Sequence, residues 1–172
     1  MNLPITQYTP TSPLNGEASR QAGFAQVWSG VRFAWQLRRM KRTLSRMQPL
    51  FSVVWENLLD TDRHVAIQML AARVYGLHVA DAIALKPVVS CQNGHIVLGA
   101  GAKSQHKILL NTRLQKQTMQ LLVQFVRTHS GDSNATLANP LLTAPQNLTR
   151  YGALVDIHVQ RLRTQYAFVT AE

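Results

Sequence analysis

The chain has little of several residue types, and each shortage excludes a class of protein. Its 172 residues include one cysteine, Cys91, so it can form neither an internal disulfide nor a zinc ribbon. It has 8 acidic residues against 18 Lys and Arg, and only 15% of all residues are charged, below the roughly 25% of an average soluble domain. Because so few carboxylates leave little material for acid–base catalysis, we expect a non-enzymatic protein without a cofactor.

Long apolar runs are also missing. The most apolar stretch, residues 64–85, is interrupted by Arg73 and Asp81, so no segment reaches the ~20 apolar residues of a membrane span. The N-terminus lacks the basic start and the apolar core of a secretory signal. Together with the single cysteine, these absences predict a cytoplasmic protein without integral membrane insertion.

Hydrophobic residues make up 46% of the chain, which excludes global disorder and is enough for a core. Residues 1–17 contain three prolines and no apolar period, which predicts a disordered or extended tail. Residues 18–172 show mostly three- and four-residue apolar steps. The pattern predicts a mainly α fold, a single domain of about five or six helices, with a long loop at about 130–147.

A β-hairpin is predicted at about 88–98, because Asn93-Gly94 between two apolar runs is typical of a two-residue primed turn. In that register Gln92 faces His95 and Cys91 faces Ile96. Cys91 then lies on the apolar face, away from His95. We therefore interpret it as a buried, inert thiol and not as a nucleophile with a histidine base.

Positive charge is concentrated on the first predicted helix. Between Ala18 and Trp55 there are seven basic residues and no acidic one. Six of them fall within fifteen residues: Arg32, Arg38, Arg39, Lys41, Arg42 and Arg46. Like charges four residues apart on a helix repel each other by a few tenths of a kcal/mol per pair. An uncompensated row of this kind indicates a polyanionic partner, above all a phosphate backbone.

A second basic cluster surrounds the predicted start of a later helix, for which Asn111 is the expected cap. Its members are Lys103, Lys107, Arg113 and Lys116. Free backbone N–H groups at a helix start also favour anions. The two clusters predict binding of nucleic acid, with DNA favoured over RNA because no glycine–aromatic sheet motif for stacking RNA bases is present.

Two other partners compete with nucleic acid. An acidic protein partner would suit the same basic helix in an adaptor or structural subunit of a larger assembly. An anionic membrane surface is the weakest alternative, because Trp28 and Trp35 share a helical stripe with Phe24 and Val31 and are therefore predicted to be core.

Residues 68–85 resemble a helix-turn-helix element, which would make the protein a small DNA-binding regulator. Ala72 is small where two helices would meet, Gly76 lies at the turn, and Leu77 follows it inward. The residues that could then read bases are His78 and Lys86. A plain αα-hairpin explains the same pattern.

The last predicted helix, 148–169, has apolar residues at every third or fourth position, namely Leu148, Tyr151, Val155, Val159, Leu162, Tyr166 and Val169. This spacing is typical of a core-facing helix, and a homo-oligomer seam is the alternative. The six histidines lack the spacing of a metal site. The glycine-rich stretch 99–104 lacks the Gly-Lys-Ser junction of a phosphate loop. Asp60 and Asp62 are interpreted as helix-capping residues.

Overall fold

The computed structural model describes the backbone of residues 15–98 and 106–169, and the side chains of residues 28–98 and 107–163. The described ranges contain seven helices: α1 Asn15–Met47, α2 Pro49–Thr61, α3 Arg63–Tyr75, α4 Val79–Ala84, α5 Pro87–Ser90, α6 Arg113–His129 and α7 Ala144–Val169. They also contain three strands, β1 Cys91–Gln92, β2 His95–Leu98 and β3 His106–Leu109, paired antiparallel in the order β1-β2-β3. The predicted mainly α fold with one small hairpin is confirmed.

Local side-chain chemistry sets several helix boundaries. The Asp62 carboxylate accepts a hydrogen bond from the Val65 N–H at 3.2 Å and so caps α3. Gly76 ends α3 at φ 65°, a left-handed conformation that favours glycine. The cap of α6 is Thr112, one residue after the predicted Asn111, because Thr112 and Gln115 form a reciprocal capping box.

The hairpin has the predicted register, with Gln92 opposite His95 and Cys91 opposite Ile96. Its first strand is shorter than predicted, since residues 87–90 form the helical turn α5. Pro87 lies in the first turn of α5, where its fixed φ suits a helix and its missing N–H costs nothing. The sheet also contains a third strand, β3, which was not predicted from the sequence.

The predicted tail falls mostly on residues 1–14, outside the described residues, and α1 already begins at Asn15. The predicted loop 130–147 is shorter, since α7 begins at Ala144. A buried amide, that of Asn147, orders the end of this loop. Its Nδ2 donates to the carbonyls of Asn139, Leu142 and Thr143, and its Oδ1 accepts from the Asn139 N–H at 2.9 Å.

The core lies where α1, α2, α3 and α6 meet. The inward face of α1 contributes Phe33, Met40 and Leu44, which pack in one cluster with buried apolar residues of the other helices. Trp55 is fully buried, and its indole Nε1 donates to the Ala66 carbonyl at 2.9 Å, which satisfies its polar atom and joins α2 to α3.

The prediction that Trp28 and Trp35 belong to the core is wrong. Trp28 is 61% exposed and Trp35 is 59% exposed, and Met47 at the end of the same helix is also exposed. The inward face of α1 is instead the row that contains Phe33, Met40 and Leu44. Periodicity had grouped the tryptophans with other apolar residues, but a stripe does not by itself show which side of a helix packs.

Helix α7 packs on α2, α3 and α4. Tyr151, Val155, Val159 and Leu162 are half-buried against the core, as expected for a core-facing helix, whereas Leu148 is exposed. The side chains of Tyr166 and Val169 lie outside the described residues. The buried Asp62 carboxylate also accepts from Arg150, so the start of α3 is tied to α7.

The contact between α7 and the core can be tested with two aspartates on the same helix. Val155→Asp should lower the free energy of unfolding by about 2–3 kcal/mol, because it places a charge against apolar neighbours. Ile157→Asp, on the exposed side, should cost less than about 0.5 kcal/mol. Urea denaturation measures both values. An equal cost for the two variants would show that α7 does not pack as described.

His64 lies in an aromatic cluster beside α6. Its ring contacts Phe125 edge-to-face with centroids 5.0 Å apart, and its Nδ1 lies 3.4 Å from the Leu137 carbonyl oxygen. Burial lowers the pKa of His64. The Leu137 carbonyl and Asp62 oppose that shift, while the charges of His129 and Arg150 add to it. Burial likewise lowers the pKa of His158, and Arg161 contributes to that shift.

Stability should therefore depend on these two histidines in mild acid. Because the folded pKa of His64 lies below the ordinary value of about 6.5, the unfolded chain binds more protons below that pH, and the free energy of unfolding falls as pH falls. His64→Asn, which keeps a polar atom near Nδ1, should make this fall shallower between about pH 8 and pH 5. Exposed His78→Asn is the control, and equal slopes for both variants would contradict the assignment.

Candidate nucleic-acid interface

A groove of about 660 Å³ runs between α1 and α6, which pack on each other. Its walls combine arginine, aromatic and apolar side chains with two neutral polar ones. The lining residues are Trp35, Arg38, Arg39, Arg42, Thr43, Arg46 and Met47 of α1, and Arg113 and Gln117 of α6. The groove, called the basic groove below, thus brings four arginines of the first predicted cluster together with one of the second.

The five arginines of the basic groove keep their positive charge unopposed. Among the described residues, no carboxylate lies within salt-bridge distance of any of them. Lys41 differs, because its Nζ lies 3.5 Å from a carboxylate oxygen of Glu56 on α2. Lys41 is therefore partly neutralised and does not line the basic groove.

Gln117 is a buried polar residue that lines the basic groove, and its neighbours determine how its amide is oriented. The Thr43 hydroxyl has one proton, which it donates to the Arg39 carbonyl at 3.1 Å. Thr43 Oγ1 therefore accepts from the Gln117 amide nitrogen, 3.3 Å away. In that orientation the Gln117 carbonyl oxygen faces Arg113 Nε and Arg39 Nη2, each at 3.1 Å.

Gln117 consequently holds two guanidinium groups from different helices on one oxygen atom. A carboxylate in this place would cancel charge, whereas an amide oxygen accepts both hydrogen bonds and leaves both cations charged. The Arg39 guanidinium also lies over the indole of Trp35, with its Cζ 5.4 Å from the ring centroid. One chain of contacts therefore links α6 through Gln117 and Arg39 to an exposed aromatic ring.

The other described residues of the predicted basic clusters do not line this groove. Arg32 is exposed on α1 but does not line it, Lys107 is exposed on β3, and Lys116 is exposed near the start of α6. Lys103 lies outside the described residues. The structure thus brings together five of the ten predicted phosphate-binding residues.

The predicted helix-turn-helix corresponds to α3, a turn at Gly76 and α4. Leu77 is partly buried, and Ala82 and Leu85 are buried, which fits the inward positions of such an element. However, α4 has only six residues, less than two turns. His78 precedes α4 and Lys86 follows it, both exposed. Neither candidate base-reading residue therefore lies within the second helix.

The remaining candidates for catalysis or metal binding are the pair Cys91 and His95 and the pair Asp60 and Asp62. Cys91 is half-buried against the core, less buried than predicted, and His95 Nδ1 lies 3.1 Å from the Asn93 carbonyl oxygen. Asp62 caps α3, while Asp60 is exposed. In the part of the chain that the structure describes, no group of three or more His, Cys, Asp or Glu is placed to hold a metal ion.

Comparisons with protein-family models, with curated proteins and with solved structures found no significant match to this chain. None of the described helices combines the length and the apolar character required to cross a bilayer. The class of ligand therefore has to be inferred from the chemistry of the basic groove.

Sequence reasoning did not identify Trp35, Thr43, Met47 and Gln117 as residues of the site. One signal for Trp35 was present, because it precedes Arg38 and Arg39 by three and four residues and so shares their side of a helix. For Gln117 no such signal exists, since its role depends on a contact between residues that are 74 positions apart.

Replacing Gln117 tests the contact between α1 and α6. Gln117→Leu should lower the free energy of unfolding by about 1–2 kcal/mol, because Thr43, Arg39 and Arg113 lose their hydrogen-bond partner. Gln117→Glu should retain stability, since a carboxylate still accepts from Arg39 and Arg113. Gln120→Leu, at an exposed position of α6, is the control. If Gln117→Leu were no more costly than Gln120→Leu in chemical denaturation, the described network would be wrong.

Proposed function

We propose that the protein is a non-enzymatic nucleic-acid-binding protein that holds phosphate groups along the basic groove. One observation carries the proposal: five guanidinium groups from two helices line a single groove, and none has a carboxylate partner among the described residues. Uncompensated arginines repel each other, and a polyanion is the partner that relieves this repulsion best.

The chemistry of arginine suits a phosphate backbone. A guanidinium presents its N–H groups as a planar fork that matches two phosphate oxygens, and it stays charged at every physiological pH. Residues 35–47 extend over about 18 Å of helix axis at about 1.5 Å per residue. At about 3.4 Å per phosphate of a stacked strand, the groove has room for about five phosphates.

Contacts to phosphate carry no sequence information by themselves, so the expected binding is only weakly sequence-selective. DNA is the favoured form, and the proposed role is that of a small cytoplasmic regulator or accessory factor. Selectivity would require contacts to base edges, for which His78 and Lys86 flanking α4 are the candidates.

A second candidate function is that of an adaptor that binds an acidic protein partner in the same groove. The unopposed arginines of the basic groove favour it, because carboxylates of an acidic partner could pair with them. Binding to both kinds of partner weakens with salt, but a linear slope set by the number of phosphates contacted is a property of nucleic acid with its condensed counterions.

The salt dependence of binding tests the proposed function. The logarithm of the affinity for duplex DNA should fall linearly with the logarithm of salt concentration, by about 0.9 per phosphate contacted. Arg38→Gln with Arg42→Gln should flatten this slope by about 1–2, since each arginine contacts about one phosphate. Fluorescence anisotropy of a labelled oligonucleotide over a salt series measures the slope.

The matched control is Arg127→Gln with Arg163→Gln, which removes the same net charge from two exposed arginines outside the basic groove. This control should lower affinity slightly and leave the slope within about 0.5 of the parent value. An equal change in both double variants would show that only net charge matters. No binding of any duplex or single strand at low salt would refute nucleic-acid binding altogether.

A further inference from the structure

We infer that the basic groove takes a single-stranded segment of nucleic acid, with one unpaired base stacked on Trp35 and the neighbouring phosphates held by Arg39 and Arg113. This inference rests on the proposed function and specifies its ligand. It assigns to Trp35 a role in binding that a purely electrostatic grip on phosphate does not need.

The exposure of Trp35 is the first observation behind this inference. An indole that is 59% exposed gains little for the fold, and Trp35 lies in the wall of the groove and not on an unrelated surface. Every base has a flat face that can stack on an aromatic ring, so an aromatic ring beside a row of cations is the combination that single-strand-binding proteins use.

The second observation is the contact between Arg39 and the Trp35 ring. Its guanidinium covers one face of the Trp35 indole, with Cζ 5.4 Å from the centroid, and a base would stack on the other face. Gln117 fixes Arg39 and Arg113 on one oxygen, 3.1 Å from each. A phosphate next to the stacked base would therefore meet two guanidinium groups whose positions are already set, which reduces the entropy lost on binding.

The size and shape of the groove favour a single strand over a duplex. Its volume of about 660 Å³ is that of a site for a small ligand and is too small to enclose a duplex. A duplex also keeps its bases stacked inside, so it could offer its phosphates to the arginines but no base face to Trp35 without extruding a base.

An anionic membrane is the competing partner, since Trp28, Val31 and Trp35 are all exposed on the side of α1 that carries the arginines. The position of Arg113 and Gln117 argues against it. These residues of α6 form a second wall, so the arginines face a groove, which a flexible strand can enter and a flat bilayer surface cannot.

The experiment compares three ligands at equal, low salt. They are oligothymidine and oligouridine of about 15 nucleotides, and a duplex of the same length, each labelled for fluorescence anisotropy. We expect both single strands to bind more tightly than the duplex. For the single strands, the slope of log affinity against log salt should be about 0.7 per phosphate, hence no steeper than about 3.5 for the five phosphates that fit the groove.

Variants of the two exposed tryptophans of α1 then test the stacking. Trp35→Ala should weaken single-strand binding by about 5- to 100-fold and duplex binding by less than about twofold, while Trp35→Phe should retain most of the affinity. Trp28→Ala is the matched control, because Trp28 is equally exposed on the same helix but does not line the groove, and it should change affinity by less than about twofold.

The outcomes separate this inference from the proposed function. Equal binding of single strand and duplex would overturn the stacking inference, and so would equal effects of Trp35→Ala and Trp28→Ala. The proposed function would still stand if the Arg38 and Arg42 variants weakened binding. If those arginine variants also had no effect, nucleic-acid binding through the groove would fail as well. If the protein bound phosphatidylglycerol-containing vesicles more tightly than any oligonucleotide, and if Trp35→Ala abolished that binding, the partner would be a membrane surface instead.

Discussion

The Gln117 amide joins the two helices that carry the groove arginines, and the site depends on this contact. Its nitrogen donates to Thr43 of α1, and its oxygen accepts from Arg39 and Arg113. A carboxylate would form stronger hydrogen bonds but would neutralise the charge on which the proposed polyanion binding relies. An aliphatic side chain would preserve the charge but leave the guanidinium groups without a fixed position. A buried neutral acceptor is therefore the solution that combines a fixed geometry with an unopposed charge.

The two sides of α1 have opposite energetic roles. Its outer side carries arginines whose mutual repulsion costs a few tenths of a kcal/mol per pair, and exposed tryptophans that add little stability. Its inner side buries Phe33, Met40 and Leu44, and each fully buried side chain of this kind contributes about 1.5–3 kcal/mol. Because the stabilisation from burial exceeds the repulsion by a wide margin, the fold can maintain this row of like charges. Under the proposed function, a bound polyanion would relieve the repulsion.

Much of the fold could be predicted from local signals. Asp62 as a cap, Gly76 as a stop and the Asn93-Gly94 turn each act through neighbouring residues, so their effects are visible in a short stretch of sequence. The departures arise where distant contacts decide. Residues 88–90 have the composition of a strand, yet they continue a helical turn that begins at Pro87. Strand β3 forms because it pairs with the free edge of β2, from which it is separated in sequence.

The site was less predictable than the fold, because periodicity shows which residues share a side of a helix and not which side faces the core. Trp28, Val31 and Trp35 form an apolar stripe, and an apolar stripe is usually buried. The same three- and four-residue steps, however, lead from Trp35 to Arg38, Arg39 and Arg42, so one side of α1 cannot bury the tryptophans without also burying the arginines. Burying several unpaired guanidinium groups would cost far more than exposing two indoles. The charge row therefore determines the orientation of the helix, and the exposed tryptophans follow from it.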